Sequence, residues 1–258
     1  MQLPTAVALV TGGSGGIGRA IAGALAGAGA RVAVAARREA DIDVVAKWIV
    51  GRGEQALAVR CDVTEPASVT ACVERVREAF GPVDILVNNA GYTQSAALVE
   101  LDEALWARTL AVNLTGTYLC TRAVLPEMIA RRQGVVVNIA STAGQVGYRY
   151  VAAYCAAKHG VVGFTRAVAL EVATTGVTVN AVCPGFVDSP MTETSVARIV
   201  EKTGKSRADA RRALEDMNPQ RRLVQPGEVA ALVLFLASDS ASGITGQAIC
   251  IDGGEVAG

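Results

Sequence analysis

Short runs of apolar residues alternate along the chain with longer stretches whose apolar positions recur every three or four residues. The short runs are "AVALVT" (6–11), "RVAVAA" (31–36), "ALAVRC" (56–61), "DILVNN" (84–89), "VVVNIA" (135–140), "VTVNAV" (177–182) and "AICID" (248–252). Each is apolar on both faces, as expected of parallel strands covered by helices on either side. The longer stretches predict helices. One follows Gly18 and ends at "GAGA"; "TEPASVTACVERVREAFG" takes Thr64 as its cap, carries Pro66 in its first turn and stops at Gly81. Residues 102–130 predict two helices broken near Asn113, residues 150–174 another, and "PGEVAALVLFLASD" the last. This alternation specifies an α/β fold: a single Rossmann-type, doubly wound parallel sheet of about seven strands with helices on both faces. No linker, repeat or low-complexity tract divides it, so residues 1–258 are expected to form one domain.

Residues 191–222 depart from the alternation. They are polar and highly charged, and "SRADARRALEDM" predicts an exposed amphipathic helix behind a Ser206 cap. The segment follows a strand's carboxyl end, where such sheets bind ligands, and is expected to be a lid over a substrate cleft.

The stretch "VTGGSGGIGRA" (10–20) links the first strand to the first helix. Its glycines allow positive φ and leave room for a pyrophosphate, while the helix N-terminus offers free N–H groups. A bare glycine motif is weak evidence, but strand, loop and helix here occur in the required order. The second strand ends "AVAARREA", with Ala36 where a carboxylate would bind the adenosine ribose, followed by Arg37 and Arg38. Losing the acid and gaining guanidinium favours the 2′-phosphate of NADP, with NAD as the alternative. Gly15 supplies no second cation from the loop.

Composition excludes several partners. Lys plus Arg and Asp plus Glu both number 24, so the zero net charge gives no support to a nucleic-acid or anionic-membrane partner. The longest unbroken apolar run, "VAALVLFLA", is about half the length of a membrane span, and the N-terminus lacks a signal peptide's basic region. Six scattered cysteines without C-x-x-C spacing argue against zinc and a disulfide framework, and fit buried, reduced thiols in a cytoplasmic protein. The Arg pairs at 37–38, 131–132, 211–212 and 221–222 are expected on solvated faces, the first excepted.

Residues 152–160 read "AAYCAAKHG". On a helix, Tyr154 and Lys158 share a face. A surface tyrosine over a snorkelling lysine is the bland alternative. His159, rotated about 100° from Lys158, is expected to be structural or interfacial.

Taken together, the sequence resembles the short-chain dehydrogenase/reductase family from about residue 5 to 254. The resemblance rests on "TGGSGGIG", "CDVT" (61–64), "NNAG" (88–91), Asn113 in "AVNLTG", Ser141 in "NIAST", "YCAAK" (154–158) and "CPGFVDSP" (183–190). It implies a catalytic tetrad of Asn113, Ser141, Tyr154 and Lys158, and no metal. It also implies a dinucleotide site formed by Gly12, Ser14, Gly16, Ile17, Gly18, Arg37, Arg38, Asp62, Val63, Asn89, Ala90, Gly91, Tyr154, Lys158, Pro184, Gly185, Val187 and Ser189. Among these, Asp62 and Val63 would contact adenine, Asn89 would line the pyrophosphate and ribose side, and residues 184–189 would embrace the nicotinamide.

Hydride delivered to a carbonyl carbon leaves an alkoxide that needs a proton. A phenol near its ordinary pKa of about 10 is poorly matched to that task at neutral pH. A cation ~4 Å away would favour its anion by about 4 kcal/mol, or about three pK units as an upper bound. Ser141 would polarise the carbonyl. The family further implies that Lys158 holds the nicotinamide ribose and that Asn113 distorts its helix and orders a proton-relaying water.

The nearest resemblance is to reductases of 3-oxoacyl thioesters, whether linked to CoA or to carrier protein, and to polyketide ketoreductases. Dehydrogenases of 3-hydroxybutyrate or of cyclic and aromatic alcohols are the alternative, and a non-catalytic NADP sensor or scaffold is an alternative of another class. Hydroxybutyrate enzymes must hold a free carboxylate. Between Ser141 and Tyr154 only Gln145 and Arg149 could serve, with Ala143 and Val151 where that subfamily places His and Lys. Lys202, Lys205, Arg207, Arg211 and Arg212 are candidates for carrier phosphates. The family commonly forms homotetramers through two long helices and the C-terminal region.

Overall fold

A computed structural model describes residues 3–257. In chain order its main elements are β1 (Val7–Thr11), α1 (Gly16–Gly27), β2 (Arg31–Ala36), α2 (Glu39–Val50), β3 (Ala56–Arg60), α3 (Pro66–Phe80) and β4 (Ile85–Asn88). Next come α4 (Glu103–Leu110), a π-helical turn (Ala111–Thr115), α5 (Gly116–Arg131), β5 (Gly134–Ile139), α6 (Ala152–Glu171) and β6 (Val177–Pro184). The chain finishes with α7 (Pro190–Thr203), α8 (Arg207–Glu215), α9 (Pro226–Leu236) and β7 (Ala248–Ile251). All seven strands pair in parallel in the order β3-β2-β1-β4-β5-β6-β7.

The order reverses between β1 and β4, and a parallel sheet opens its ligand crevice where the order reverses, outside the strands' carboxyl ends. Strand alternation divides the apolar core in two. Ala8 and Val10 of β1 pack with α1, α2 and α9, whereas Val7 and Leu9 pack with α3, α5 and α6. Every residue of β1 is buried, as the unbroken apolar run predicts. A polar ladder crosses the second layer: Asn88 donates to Asn138 (2.9 Å) and Thr121 (3.0 Å), and Asn138 donates to Thr165 (2.9 Å). Such buried amides tie β4, β5, α5 and α6 into one register.

The structure corrects several expectations. Asn113 does not break a helix; it sits in the π-helical turn that joins α4 to α5 without interruption. The N-cap of α3 is Glu65 rather than Thr64, because Thr64 is engaged by the Asp62 carboxylate. Arg131 is not on a solvated face: it reaches the buried Asp84 at 2.7 Å, and Asp84 also accepts the Val7 N–H at 2.9 Å. Cys155 and Cys250 are only half-buried, unlike the other four thiols. The segment 191–222 folds as two helices, not one, over a small core of Val196, Ala210, Leu214 and Leu223. The Ser206 cap is present, its hydroxyl accepting the Asp209 N–H.

Candidate active site at the carboxyl edge of the sheet

β1 runs into the glycine loop, which turns at Gly12 (φ +63°) and enters α1 at Gly16. A Cβ on Gly12 would lie 2.8 Å from Ala90 Cα, and one on Gly18 would lie 2.3 Å from the Gly12 carbonyl oxygen. Only glycine fits at either place. Asn89 Nδ2 donates to the carbonyls of Thr11 (3.1 Å) and Gly12 (3.0 Å), and the Thr11 hydroxyl accepts the N–H groups of Asn89 and Ala90. Asn89 and Ala90 therefore brace the loop from β4. Thr11 does the same from β1, a part of the site that the sequence reading left out. Gly15 occupies the α1 N-cap position without a side-chain cap, so the amides of the first turn remain for an anion. Ser14 and Ile17 lie in the same turn.

Arg37 and Arg38 follow β2, both exposed. Arg38 pairs with Asp41 in the first turn of α2, whereas Arg37 lies close enough to bias Asp62. Burial would raise the Asp62 carboxyl, but the Thr64 hydroxyl and amide, with the Arg37 and Arg60 guanidinia, hold it below the ordinary carboxylate range. Asp62 is thus already fixed in a turn of its own. Val63 is buried against Gly116, where a Cβ would come within 2.7 Å of it, so its side chain packs inward.

The reacting groups gather beyond β4 and β5. Ser141 leaves the end of β5, and its hydroxyl accepts the Ala143 N–H at 3.1 Å. The Tyr154 phenol lies near enough to that hydroxyl for Ser141 to pull its pKa down. Lys158, one turn along α6, is buried, with Nζ 5.5 Å from the Tyr154 ring centroid. It donates to the Ile139 carbonyl at 2.7 Å, which leaves further donors on the ammonium. The shared face predicted for Tyr154 and Lys158 is present. His159 turns its Nδ1 back to the Cys155 carbonyl at 2.9 Å on the exposed side of α6, away from this group.

Electrostatics here differ from expectation. Burial pushes the Tyr154 phenol up to about 12, with the Ser141 hydrogen bond pulling the other way. The upward push of burial outweighs any downward pull on the phenol. Burial likewise lowers Lys158 to about 8, with Cys183 opposing. Desolvation dominates both groups.

Asn113 is fully buried. Its Nδ2 donates to the carbonyls of Tyr92 (2.7 Å) and Thr109 (2.9 Å), and its Oδ1 accepts the Tyr92 N–H at 3.3 Å. The π turn is what swings this amide toward the segment after Gly91. Thr117 occupies one lone pair of the Asn113 carbonyl.

The fourth wall is the segment 184–189. Gly185 donates its N–H to the Ile251 carbonyl (3.0 Å), Val187 bridges to Val224, and the Thr192 hydroxyl returns to the Val187 carbonyl at 2.6 Å. Ser189 and Pro190 approach Gly16, which brings this wall against the phosphate loop. Arg211 of α8 pairs with Asp188, Glu193 and Glu215, tying the two-helix segment to the wall. Arg207 pairs with Glu193, so two of the five suggested phosphate cations are already engaged. Among the described residues no group of His, Cys, Asp and Glu stands arranged to hold a metal, and no helix is long and apolar enough to cross a membrane.

A glycine cradle that a Cβ would fill, free helix N-terminal amides and an exposed guanidinium beside β2 fit a phosphorylated dinucleotide. Ser141, Tyr154 and Lys158 lie across the crevice from that cradle, on neighbouring elements. Together they can polarise a carbonyl and protonate its oxygen.

Known proteins share this arrangement. A family profile described as short chain dehydrogenase matches residues 6–199. The chain is 41% identical over 256 residues to the 3-oxoacyl-[acyl-carrier-protein] reductase of Synechocystis sp., covering 98% of each. It is 40% identical over 254 residues to the D-beta-hydroxybutyrate dehydrogenase of Cupriavidus necator, covering 97% of each. Among solved structures, a phenylalanine-to-tryptophan variant of actinorhodin polyketide ketoreductase with NADPH superimposes with a TM-score of 0.95 at 42% identity, covering 98% of each chain.

Proposed function

Because the chain belongs to the short-chain dehydrogenase family, we propose that it is an NADPH-dependent ketoreductase whose substrate is a 3-oxoacyl thioester. The observation that carries the reading is the buried Tyr154 phenol close enough to the Ser141 hydroxyl to be lowered by it, with the Lys158 ammonium 5.5 Å from its ring. When bound, NADPH supplies a hydride to the carbonyl carbon. Ser141 donates a hydrogen bond to the carbonyl oxygen and holds it beside Tyr154. Tyr154 gives that oxygen its proton as negative charge develops. A phenol near 12 is fully protonated at neutral pH, which suits an acid in the reductive direction. Lys158 gives one donor to the Ile139 carbonyl and keeps the others free for the ribose hydroxyls. Asn113 holds the backbone after Gly91 in place and, through its carbonyl, the water that restores the proton. Ser14, Gly16, Ile17 and Gly18 would hold the pyrophosphate, Arg37 with Arg38 the 2′-phosphate, and Pro184 to Ser189 the nicotinamide side.

The relatives at 40–41% identity include both a thioester reductase and a free-acid dehydrogenase, so overall identity does not choose between them. The cleft does favour one. Gln145 donates to Cys183 at 3.6 Å, Arg149 is exposed, and Tyr148 donates to a carboxylate. Among the described residues of this stretch the one cation, Arg149, is exposed to solvent rather than set in the buried part of the cleft, which favours a neutral thioester. The two-helix segment α7–α8 would close over its acyl portion.

We further assign a homotetramer and a cytoplasmic location. Exposed Tyr118 on α5 and Leu170 on α6 support packing between copies through these two long helices, and six unpaired cysteines support a reducing compartment. The deciding experiment compares acetoacetyl-CoA, longer 3-oxoacyl thioesters, acetoacetate and a cyclic ketone, each with NADPH and NADH, by loss of cofactor absorbance. Thioesters with NADPH should give the highest kcat/KM. Equal efficiency for acetoacetate would defeat the thioester assignment, and equal efficiency for NADH would defeat the cofactor assignment.

A further inference from the structure

The C-terminal turn after β7 sets one acidic side chain between Tyr148 and the 184–189 wall. Asp252 is spent locally, accepting the N–H groups of Gly254 (3.0 Å) and Val256 (2.9 Å). Glu255 is not spent in this way. Its Oε1 accepts the Tyr148 hydroxyl at 2.6 Å, while its Oε2 is buried without a hydrogen-bond partner. A Cβ on Gly185 would fall 2.9 Å from that Oε2, so the carboxylate lies directly against the 184–189 wall. Tyr148 belongs to the opposite wall: it sits between Ser141 and Tyr154, and its N–H donates to Cys155 Sγ at 3.4 Å. Glu255 therefore spans the two walls between which the substrate carbonyl must lie. Among the described residues no Lys or Arg forms an ion pair with it. Burial pushes its carboxyl up, the Tyr148 hydroxyl pulls it down, and Asp252 adds a second upward push.

We propose that Glu255, oriented by Tyr148, determines substrate charge: it repels a substrate that ends in a carboxylate and admits the neutral thioester, ester or amide. Above its titration range, a carboxylate with no cation to answer it raises the cost of bringing a second anion near it. A neutral chain meets no such cost. The inference rests on the carbonyl-reduction reading and narrows its substrate class.

Acetoacetamide and acetoacetate test it, because they differ in charge and hardly in shape. Binding of each to the protein loaded with oxidised NADP, which cannot reduce it, is measured by calorimetry at about pH 8, above the ordinary glutamate range, and kcat/KM with NADPH is measured alongside. The wild type should favour the amide by about tenfold or more in both readouts, and Glu255→Gln should bring the ratio within about threefold. A wild-type ratio near one, or a ratio that persists in E255Q, overturns the proposal. Since the wild-type comparison stands alone, it does not depend on the variant folding. Discrimination in binding without turnover of any ketone would sink carbonyl reduction and leave this charge selection standing.

Discussion

At the end of β1 the crevice is walled by backbone. Gly18 is pressed to within 2.3 Å of the Gly12 carbonyl once a Cβ is added, and Asn89 clamps two successive carbonyls of the loop. Across the crevice, the substrate wall is made of side chains drawn from distant parts of the chain: Ser141, Tyr148, Tyr154 and Glu255, with Gly185 facing them. A wall of backbone can accept one ligand shape, because its N–H groups cannot be exchanged by mutation. A wall of side chains can be retuned residue by residue. The contrast suits a crevice whose nucleotide side is fixed while its carbonyl side can change.

The sharpest way to separate the two walls is Tyr154→Phe. It should lower kcat by about 10³-fold or more while NADPH binding, read by fluorescence, stays unchanged. Substantial residual turnover would contradict the assignment of the proton. The reverse pattern belongs to Gly18→Ala. Its methyl group must displace the Gly12 carbonyl, so NADPH affinity should fall by at least about tenfold and stability by roughly 1–3 kcal/mol. An alanine variant that binds and melts like wild type would show that the loop yields.

Arg37→Ala should weaken NADPH binding by about tenfold, the loss of one charge-assisted phosphate contact, and leave NADH untouched. Arg38→Ala should do less, because Arg38 already pairs with Asp41. An equal effect on both nucleotides would remove the 2′-phosphate from the argument.

Lys158 gives a pH test. Its folded value of about 8 lies below the ordinary lysine value of 10.5, so the unfolded chain binds more protons between the two. Its contribution to stability therefore rises with pH across that window. Relative to Lys158→Met, the wild type should gain about 2 kcal/mol between about pH 7 and 9.5 by urea unfolding without nucleotide. Parallel curves would refute a desolvated ammonium. The smallest effect is expected for Arg211→Ala, which frees α8 from Asp188. It should raise the substrate KM by about threefold with NADPH binding intact, and no change would remove the tie's role in closing the lid.

The backbone wall was the more legible one in the sequence. Glycines, β-branched runs and the order strand, loop, helix are local signals, and they placed all seven strands to within a residue or two at either end. Tyr154 and Lys158 were legible for the same reason, since helical spacing alone puts them on one face. The distortion at Asn113 was legible only through the family resemblance, because one inserted residue per turn leaves no mark on apolar periodicity. Nor was Glu255, whose meaning comes from Tyr148, 107 positions away. The lid's charge hid the small core that Val196, Ala210, Leu214 and Leu223 form between its helices. Burial also reversed the expected direction for the Tyr154 phenol, which sequence spacing cannot weigh.

The central claim is that two hydroxyls, from Ser141 and Tyr154, grip the oxygen that is reduced. A crystal structure of the protein with NADP and a 3-oxoacyl thioester analogue measures this directly. The account predicts that Ser141 Oγ and Tyr154 Oη both lie within about 3 Å of the 3-oxo oxygen. A 3-oxo oxygen held by other groups, with those two hydroxyls bonded only to each other, would contradict it.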